Sequence, residues 1–587
     1  MIIGTVGANQ RSAVDLNKLR PFFIENVVAL GCFALVAMVC FLPSIKHVGF
    51  YLDDWIMLNT LSSGPQDFLE LFKHYFSADP RVVKRPIEAL HFEIMFKMFG
   101  VKPLGYHVFN LVMEILSAWL LFLCLVRVSG SRLISFIAAV FFLLYPSHNA
   151  THYWVVCSSV NLSMIFYLGS LLCDIEAVKR SLPWLHAVSG LLFLLGLLNY
   201  EVFLLLGLLN IAVVAFLKRR ERAATFKAVL LCAASLGTAF LLDLLYLRLV
   251  VPFFSDAWMH HVTFDSSLMW STIKAGVELN LPWVGFDFFL NQAGQQWNEG
   301  ISSYSWAMLV AVSLALFGSM TYFWKQDAAA EEASHPVWYL AVGAMVVVAS
   351  YVIFGLNDSY GPTFHSLVNR VNTGATIGIA FIFCSIALGL RSVIGAGRQS
   401  FLIVSTVLVV PITTLLMLAD WALSKPYLLS WQLQAHIRSC IKNQHAVLKD
   451  AKSILLVNAP RYVNEAPVFD GVWDFQNVVR LTLDRSDIKG GVFSDRIEFA
   501  KDRILDAPAG VRLASYDIDG LFLIFSPEGN VVRVNDIHQL LNLVSSRGMQ
   551  FEADKSLPER WRKQIEESAK LQSDSVIPSK SIRKTLE

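Results

Sequence analysis

Repeated apolar runs of membrane-spanning length constrain this sequence more than any other feature. A helix needs about 17 to 25 predominantly apolar residues to cross the hydrocarbon core of a bilayer. The sequence contains about eleven such runs, of which 132–146 and 183–198 are short, and a marginal segment at 270–290 is either a twelfth span or an interfacial helix. The chain is therefore predicted to be a polytopic α-helical membrane protein. The other predicted spans are 22–43, 104–126, 153–173, 201–217, 228–250, 303–324, 336–356, 371–390 and 399–420.

The composition agrees with this fold class and excludes several kinds of site. Of the 587 residues, 55% are apolar and 16% are charged, whereas about a quarter of the residues in a soluble domain are charged. Seven of the eight cysteines lie in or beside apolar runs and none forms a CxxC pair, so neither a disulfide framework nor a zinc knuckle is predicted. The net charge of +2 neither favours nor excludes binding to nucleic acid, and we expect no nucleic acid among the partners.

The distribution of Lys and Arg between the short loops predicts the orientation of the chain. With the N-terminus inside, the cytoplasmic segments contain nearly all of these residues, including the cluster from Lys218 to Lys227, which we interpret as a topology determinant. The opposite short loops, at 147–152, 199–200 and 357–370, contain Arg370 as their single basic residue. An odd number of spans then predicts an extracytoplasmic C-terminus, and we expect a multi-pass protein of the bacterial inner membrane.

The sequence changes character after Trp421. Apolar runs become short enough for strands, as at 453–457 and 520–525, and Pro, Gly, Asn and Asp separate them. These features predict a small extracytoplasmic α+β domain after the membrane helices. The predicted organisation is a cytoplasmic N-terminus at 1–20 before a retained anchor, a transmembrane domain at 21–422 with a first outer loop at 44–102, the α+β domain at 423–570, and a disordered tail at 571–587.

Unusual polar residues gather at the predicted outer face. Ionisable groups near membrane depth are costly and usually face a protein interior or a watery cavity, so several at one level indicate a shared cavity. These residues are Asp53, Asp54, Arg85, His91, Glu93, His107, Asn110, His148, His152, Glu201 and Arg370.

Each of these residues also has a structural interpretation. The adjacent carboxylates alternatively cap a helix or lie solvated in a loop, and Arg85 alternatively reaches lipid headgroups. His148 and His152 have the i, i+4 spacing of two zinc ligands, but no third ligand is suitably spaced, so no metal site is predicted. Arg370 alternatively anchors a helix end. Glu201 is harder to explain in this way, because its short turn leaves it near the bilayer.

The order of the outer-face motifs is similar to that of a known family. After Asp53-Asp54 come Arg85-Pro86, the segment Gly105 to Leu111, Tyr145-Pro146-Ser147-His148 with Trp154, Asn199-Tyr200-Glu201 and Asn369-Arg370. Over roughly residues 20–420 this arrangement resembles the GT-C superfamily of membrane glycosyltransferases. It is most similar to the protein O-mannosyltransferase-like branch, which includes the tetratricopeptide-containing transmembrane O-mannosyltransferases and bacterial relatives.

The sequence departs from that family's pattern at several positions. Ala150 stands where relatives commonly have Glu, Glu114 stands where they have His, and Asn199-Tyr200-Glu201 replaces a Ser-Lys-Glu element. No tetratricopeptide array follows the membrane domain. The identity of the sugar and of the acceptor therefore stays open.

The resemblance implies transfer of a sugar from a polyprenyl-phosphate donor to a protein, lipid or envelope-glycan acceptor at the extracytoplasmic face. Asp53 or Asp54 would be the general base, with Asp53 favoured by the resemblance, and Glu201 or the second carboxylate would stabilise an oxocarbenium-like transition state. Arg370, with Arg85 as a second candidate, would bind the donor phosphate. The expected substrate contacts are His107, Asn110, His148, His152 and Trp154.

This chemistry requires no cofactor and no metal ion, although a divalent cation stays open. Two other functions use the same charges. A transporter or flippase for a lipid-linked sugar would bind the donor without chemistry but would need access from both faces, whereas the unusual residues concentrate on one. An inactive membrane scaffold that presents the C-terminal domain is the third interpretation.

Overall fold

The structure, a computed structural model, describes residues 16–254, 265–327, 335–356, 360–394, 398–500, 503–507 and 513–547. Most of the predicted N-terminal segment and the whole predicted tail at 571–587 lie outside the described residues. Up to residue 443 the helices are, in chain order, α1 (Leu16–Ile45), α2 (Asp53–Ser63), α3 (Phe68–Ala78), α4 (Pro80–Val83), α5 (Pro86–Phe99), α6 (Pro103–Ser129), α7 (Arg132–Leu144), α8 (Ala150–Tyr153), α9 (Ser158–Lys179), α10 (Trp184–Leu197), α11 (Gly207–Lys218), α12 (Arg222–Leu245), α13 (Ser266–Leu279), α14 (Pro282–Glu299), α15 (Ser303–Gln326), α16 (Pro336–Val352), α17 (Thr373–Ile394) and α18 (Arg398–Asn443).

Nine helices within the described residues are long and apolar enough to cross a membrane. They coincide with nine of the predicted spans, and two shorter apolar helices, Arg132–His148 and Trp184–Leu197, coincide with the two runs predicted to be short. Each predicted run is therefore helical, while the number of eleven crossings and their orientation stay predictions. The marginal segment at 270–290 falls on two helices, α13 and α14.

Some helices of the bundle pack at very short distances. Helices α16 and α17 lie side by side, and a Cβ atom added to Gly343 would lie 2.7 Å from the carbonyl oxygen of Gly378. Small residues at such a crossing let two membrane helices approach and gain dispersion energy. Large apolar side chains such as Leu314 and Val407 point outward, as lipid-facing residues do.

The first outer loop is a helical layer at one end of the bundle. Helices α2 to α5 occupy most of the predicted segment 44–102, and α2 begins at Asp53. The inner side of this layer is apolar, with Trp55, Met57 and Leu58 buried. The loop therefore forms a folded cap.

The C-terminal region is an α+β unit, as predicted. Helix α18 continues without interruption to Asn443, so the predicted boundary at residue 423 lies inside this helix. The main sheet has the order β4-β1-β8-β9, with β1 parallel to both neighbours and β8 antiparallel to β9, and β5-β6-β7 form a second, antiparallel sheet. The elements are β1 (Ser453–Val457), β2 (Tyr462–Val463), β3 (Ala466–Pro467), α19 (Val472–Leu483), β4 (Lys489–Val492), β5 (Ile497–Phe499), β6 (Arg503–Asp506), β7 (Ala514–Asp517), β8 (Leu521–Phe525), β9 (Asn530–Arg533) and α20 (Ile537–Arg547).

This unit packs directly on α2. Trp55 stacks on Trp431 of α18 with ring centroids 6.1 Å apart, and its indole N–H donates to Gln434 at 3.0 Å. Phe475 and Val478 of α19 belong to the same buried cluster. The C-terminal region therefore lies at the end of the bundle where the adjacent carboxylates begin α2.

Candidate active site

The two adjacent carboxylates have opposite environments. Asp54 is fully buried and accepts hydrogen bonds from the backbone N–H groups of Tyr51 and Val156, each at 2.8 Å, and of Val155 at 3.4 Å. Burial raises the pKa of Asp54 well above its usual range, while the three backbone donors oppose that shift. Asp54 therefore joins the start of α2 to the segment before α9, which is a structural role.

Asp53 faces outward. Its side chain is 33% exposed and lies 3.3 Å from Arg81, whose guanidinium is also held by Asp79 at 2.7 Å. A carboxylate with a free approach and a positioned cation beside it has the access that a general base requires. Of the two acids, Asp53 is the one that a substrate hydroxyl can reach.

The backbone immediately before these acids is strained. Leu52 has a φ of 45°, which a residue with a branched side chain adopts only when its surroundings impose it. Two hydrogen bonds of Tyr51, the residue before Leu52, hold this part of the backbone. The N–H of Tyr51 donates to Asp54, and its carbonyl oxygen accepts from the Trp154 indole at 3.0 Å. Such strain costs of order 1–3 kcal/mol and clusters at functional sites.

Trp154 connects the acids to Arg370. The Arg370 guanidinium lies over the Trp154 ring at 4.8 Å and over the Tyr360 ring at 5.3 Å, and it donates to the carbonyl of Leu367 at 2.8 Å. Within the described part of the chain, Arg370 forms no ion pair with a carboxylate. Its charge is therefore held by aromatic faces and left available to an anion.

Arg85 and Glu201 contact each other. Two nitrogens of Arg85 donate to the two oxygens of Glu201, at 3.1 and 2.8 Å, and the guanidinium stacks on Tyr200 at 4.0 Å. A third nitrogen lies 3.5 Å from Glu88, where burial raises the pKa of the Glu88 carboxyl to about 7. The charge of Arg85, unlike that of Arg370, is balanced inside the protein.

These groups surround one region. Asp54 accepts from the backbone of Val155 and Val156, and Arg370 lies over the Trp154 ring, so both groups adjoin the segment just before α9. Tyr200 bridges the two arginines, since it stacks under Arg85 and also interacts with Arg370.

The predicted substrate contacts His107 and Asn110 lie in a buried polar layer. His107 shares a 2.9 Å hydrogen bond with the carbonyl of Gly49, and the Asn110 amide donates to the carbonyl of Thr151. Asn161 donates to the Asn110 side-chain oxygen at 2.8 Å. Both residues are thus engaged by the protein, and substrate contact stays a prediction.

His148 and His152 lie close together in the same layer. Their ring centroids are 5.4 Å apart, and the His152 Nδ1 atom pairs with Glu114 at 2.8 Å while its ring stacks on Phe41 at 4.1 Å. Glu114, one of the positions at which this sequence departs from the pattern of the family it resembles, is therefore the partner of His152. A cavity of about 10 Å³ beside them has room for about one water molecule.

A group of potential metal ligands lies elsewhere, among α9, α10 and α12. Atoms of Asp174, His186 and Cys232 lie within 4.8 Å of one another and all are buried. Asp174 already accepts from Ser189 at 2.7 Å and from Asn210 at 2.8 Å. The Asp174 carboxylate is therefore already held by hydrogen bonds within the protein. In the sequence, the signal for this group is Asp174, an acidic residue at the end of an apolar run.

Sequence reasoning did not identify three of the residues around the site. Arg81 contacts Asp53, Tyr200 contacts both arginines, and Glu465 of the C-terminal region accepts from the Ser366 N–H at 2.8 Å in the segment before Arg370. Only Tyr200 had a signal, because it lies within the Asn199-Tyr200-Glu201 motif. Glu465 reaches this region only through a contact distant in sequence, and Arg81 has no feature in the sequence that distinguishes it from an ordinary surface arginine.

Comparison with known proteins gives a partial likeness. Over 126 residues, 20% of this chain, the sequence is 31% identical to the protein O-mannosyl-transferase Tmtc1 of Drosophila melanogaster. The match covers 14% of the length of that protein. No protein-family model matches the sequence. The likeness and the apolar helices together are compatible with a membrane glycosyltransferase.

Proposed function

We propose that this protein is a glycosyltransferase that moves a sugar from a polyprenyl-phosphate donor to an acceptor at the extracytoplasmic membrane surface. The main support is the combination of an accessible carboxylate, Asp53, with a cation, Arg370, that has no carboxylate partner in the described ranges. Trp154 connects the two, since it bonds to the backbone two residues before Asp53 and lies under Arg370. The partial identity to an O-mannosyl-transferase supports the same class of reaction.

In this reaction Asp53 accepts the proton of the acceptor hydroxyl as the hydroxyl oxygen bonds to the anomeric carbon of the sugar. The bond from that carbon to the phosphate oxygen breaks, and its electron pair leaves with the lipid phosphate. The phosphate departs as an anion and needs no protonating acid, so a cation is sufficient to stabilise it. Arg370 supplies this cation. A single displacement inverts the anomeric configuration, and no step requires a metal ion.

The remaining candidates support this arrangement. Glu201 neutralises Arg85 in a two-pronged ion pair. We therefore assign the pair to positioning Tyr200 beside Arg370, and we assign Asp54 to holding the turn that presents Asp53.

The proposal is tested by mass analysis of envelope glycans and glycoproteins from cells that lack the gene and express a variant. Asp53→Asn is expected to lower transfer by about 100-fold or more, because an amide cannot act as a base. Glu70→Gln is the matched control, since Glu70 is an exposed carboxylate of the same outer layer, 2.8 Å from Lys73. The wild-type protein and the control should restore the same glycan.

Full activity of Asp53→Asn would move the base to another residue. Unchanged glycans in the absence of the gene would instead favour the scaffold. Movement of a polyprenyl-linked sugar across proteoliposomes without any transfer product would favour the flippase.

A further inference from the structure

A second polar cavity lies at the opposite end of the bundle from the candidate active site. Its volume is about 330 Å³, and it lies between the ends of α6, α9 and α11 and the start of α16. Five Lys or Arg residues and a histidine line it, against one carboxylate, Glu221. The basic residues are Arg127, Lys179, Lys218, Arg219, Arg220 and His335.

The basic cavity and the candidate active site are separated by the length of the bundle. Helix α6 begins beside His107 and ends at the basic cavity, and its 27 residues span about 40 Å at the helical rise per residue. Helix α11 likewise follows Glu201 and ends at Lys218. The basic cavity is therefore separate from the site assigned to sugar transfer.

One cation of the cavity is held in place without neutralisation. Arg219 lies over the Phe216 ring at 4.0 Å, donates to the Phe216 carbonyl at 2.7 Å and contacts His335 at 3.0 Å. Among the residues that the structure describes, Arg219 has no carboxylate within ion-pair distance. A guanidinium fixed in this way is suited to two-pronged contact with a phosphate.

The cavity lies at a level where candidate membrane spans end. The helices that end or begin there, α6, α9, α11 and α16, are all part of segments long and apolar enough to cross a membrane. A phosphate bound at these helix ends would therefore lie where a bilayer has its lipid headgroups. Basic pockets between membrane helices recognise anionic lipid headgroups in this manner.

We propose that this cavity binds the phosphate headgroup of an anionic phospholipid from the leaflet at that end of the bundle. The phosphate contacts Arg219 and its basic neighbours, and the acyl chains extend from there into the bilayer beside the helix ends. The residues Lys218, Arg219 and Arg220 would then have two functions, orientation of the chain and recognition of a lipid. This inference does not depend on the proposed transfer reaction.

The test uses the whole protein in neutral detergent, with native mass spectrometry of bound phosphatidylglycerol. The double substitution Lys218→Gln with Arg219→Gln should lower retention by about tenfold or more, since each basic residue near a membrane surface contributes about 1 kcal/mol. Arg222→Gln with Lys227→Gln is the matched control, because both residues are exposed in the same segment but do not line the cavity. The control should retain the lipid as the wild-type protein does.

Further measurements separate a loss of lipid from a failure to fold, and a lipid from free phosphate. Arg219→Gln alone should lower retention several-fold, which serves if the double variant does not fold. Inorganic phosphate added at the lipid concentration should leave the lipid bound. If both double variants lose lipid equally, general surface charge holds the lipid and the proposed site is wrong. Displacement by phosphate, or equal retention of phosphatidylcholine, would overturn the assignment to an anionic lipid.

Discussion

At the residue scale, Arg370 and Arg85 differ in how their charges are balanced. Arg85 shares two hydrogen bonds with Glu201, whereas Arg370 rests on the rings of Trp154 and Tyr360. No carboxylate of the described residues neutralises Arg370, and for this reason we propose Arg370 rather than Arg85 as the phosphate ligand.

Arg370→Ala is expected to weaken binding of a polyprenyl phosphate by roughly 10- to 100-fold, because a hydrogen bond to a charged group is worth about 1.5–3 kcal/mol. Transfer should slow as well, since the contact strengthens while charge develops on the leaving oxygen. Arg370→Lys should restore binding only in part, because a point charge replaces a two-pronged donor. Affinity and thermal stability in detergent are the measurements.

Arg391 provides the control for this experiment. It lies in the last turn of α17, the helix that begins just after Arg370, so Arg391→Ala removes an equal charge far from the site. If Arg370 were only an anchor, Lys would replace it fully and the Ala variant would lose stability. Unchanged donor affinity in Arg370→Ala would disprove the phosphate contact.

At the element scale, the β2–β3 hairpin connects the C-terminal region to the segment that carries Arg370. Glu465, in the turn of this hairpin, accepts from the Ser366 N–H at 2.8 Å and pairs with His365. Ser366 has a φ of 65°, so the segment bends sharply at the point that the hairpin holds. The C-terminal region thereby supports the position of Arg370.

Glu465→Gln should lower donor affinity by about two- to fivefold with little change in melting temperature, because a solvent-exposed ion pair contributes about 0–1 kcal/mol. Asp519→Asn is the control, since Asp519 forms an exposed pair with Lys452 that does not reach the bundle. Donor binding and thermal unfolding of both variants are compared. An equal effect of the two substitutions would show that the hairpin has no special part in holding Arg370.

At the scale of the whole molecule, the position of the C-terminal region links two predictions. It packs on α2, at the end of the bundle where Asp53 and Arg370 lie. The extracytoplasmic location of the candidate site and of the C-terminal region must therefore be correct or incorrect together.

We expect a periplasmic-type reporter fused after Glu587 to be active, because the Lys and Arg asymmetry and an odd span count place that end outside. The same reporter inserted between Glu221 and Arg222, at the other end of the bundle, should be inactive. A fusion after Glu587 that works only in the cytoplasm would reject the orientation and, with it, transfer at the outer surface.

The sequence alone determined the membrane helices and the class of the C-terminal region. A window of about 20 apolar residues partitions into a bilayer whatever its neighbours are, so composition decides each run locally. Strand-length apolar runs such as 453–457 likewise depend on local pattern. Helix α18 extends beyond the predicted span at 399–420, because residues after Trp421 continue the helix to Asn443 in contact with other elements such as α19.

The environments of the charged residues depend on the tertiary structure. Asp53 and Asp54 are chemically identical neighbours, yet a helix start turns one into solvent and the other onto the backbone of Val155 and Val156. Arg85 finds its partner 116 residues away at Glu201. Whether a charge is neutralised depends on which distant groups the fold brings within a few ångströms, and a linear sequence does not contain that distance.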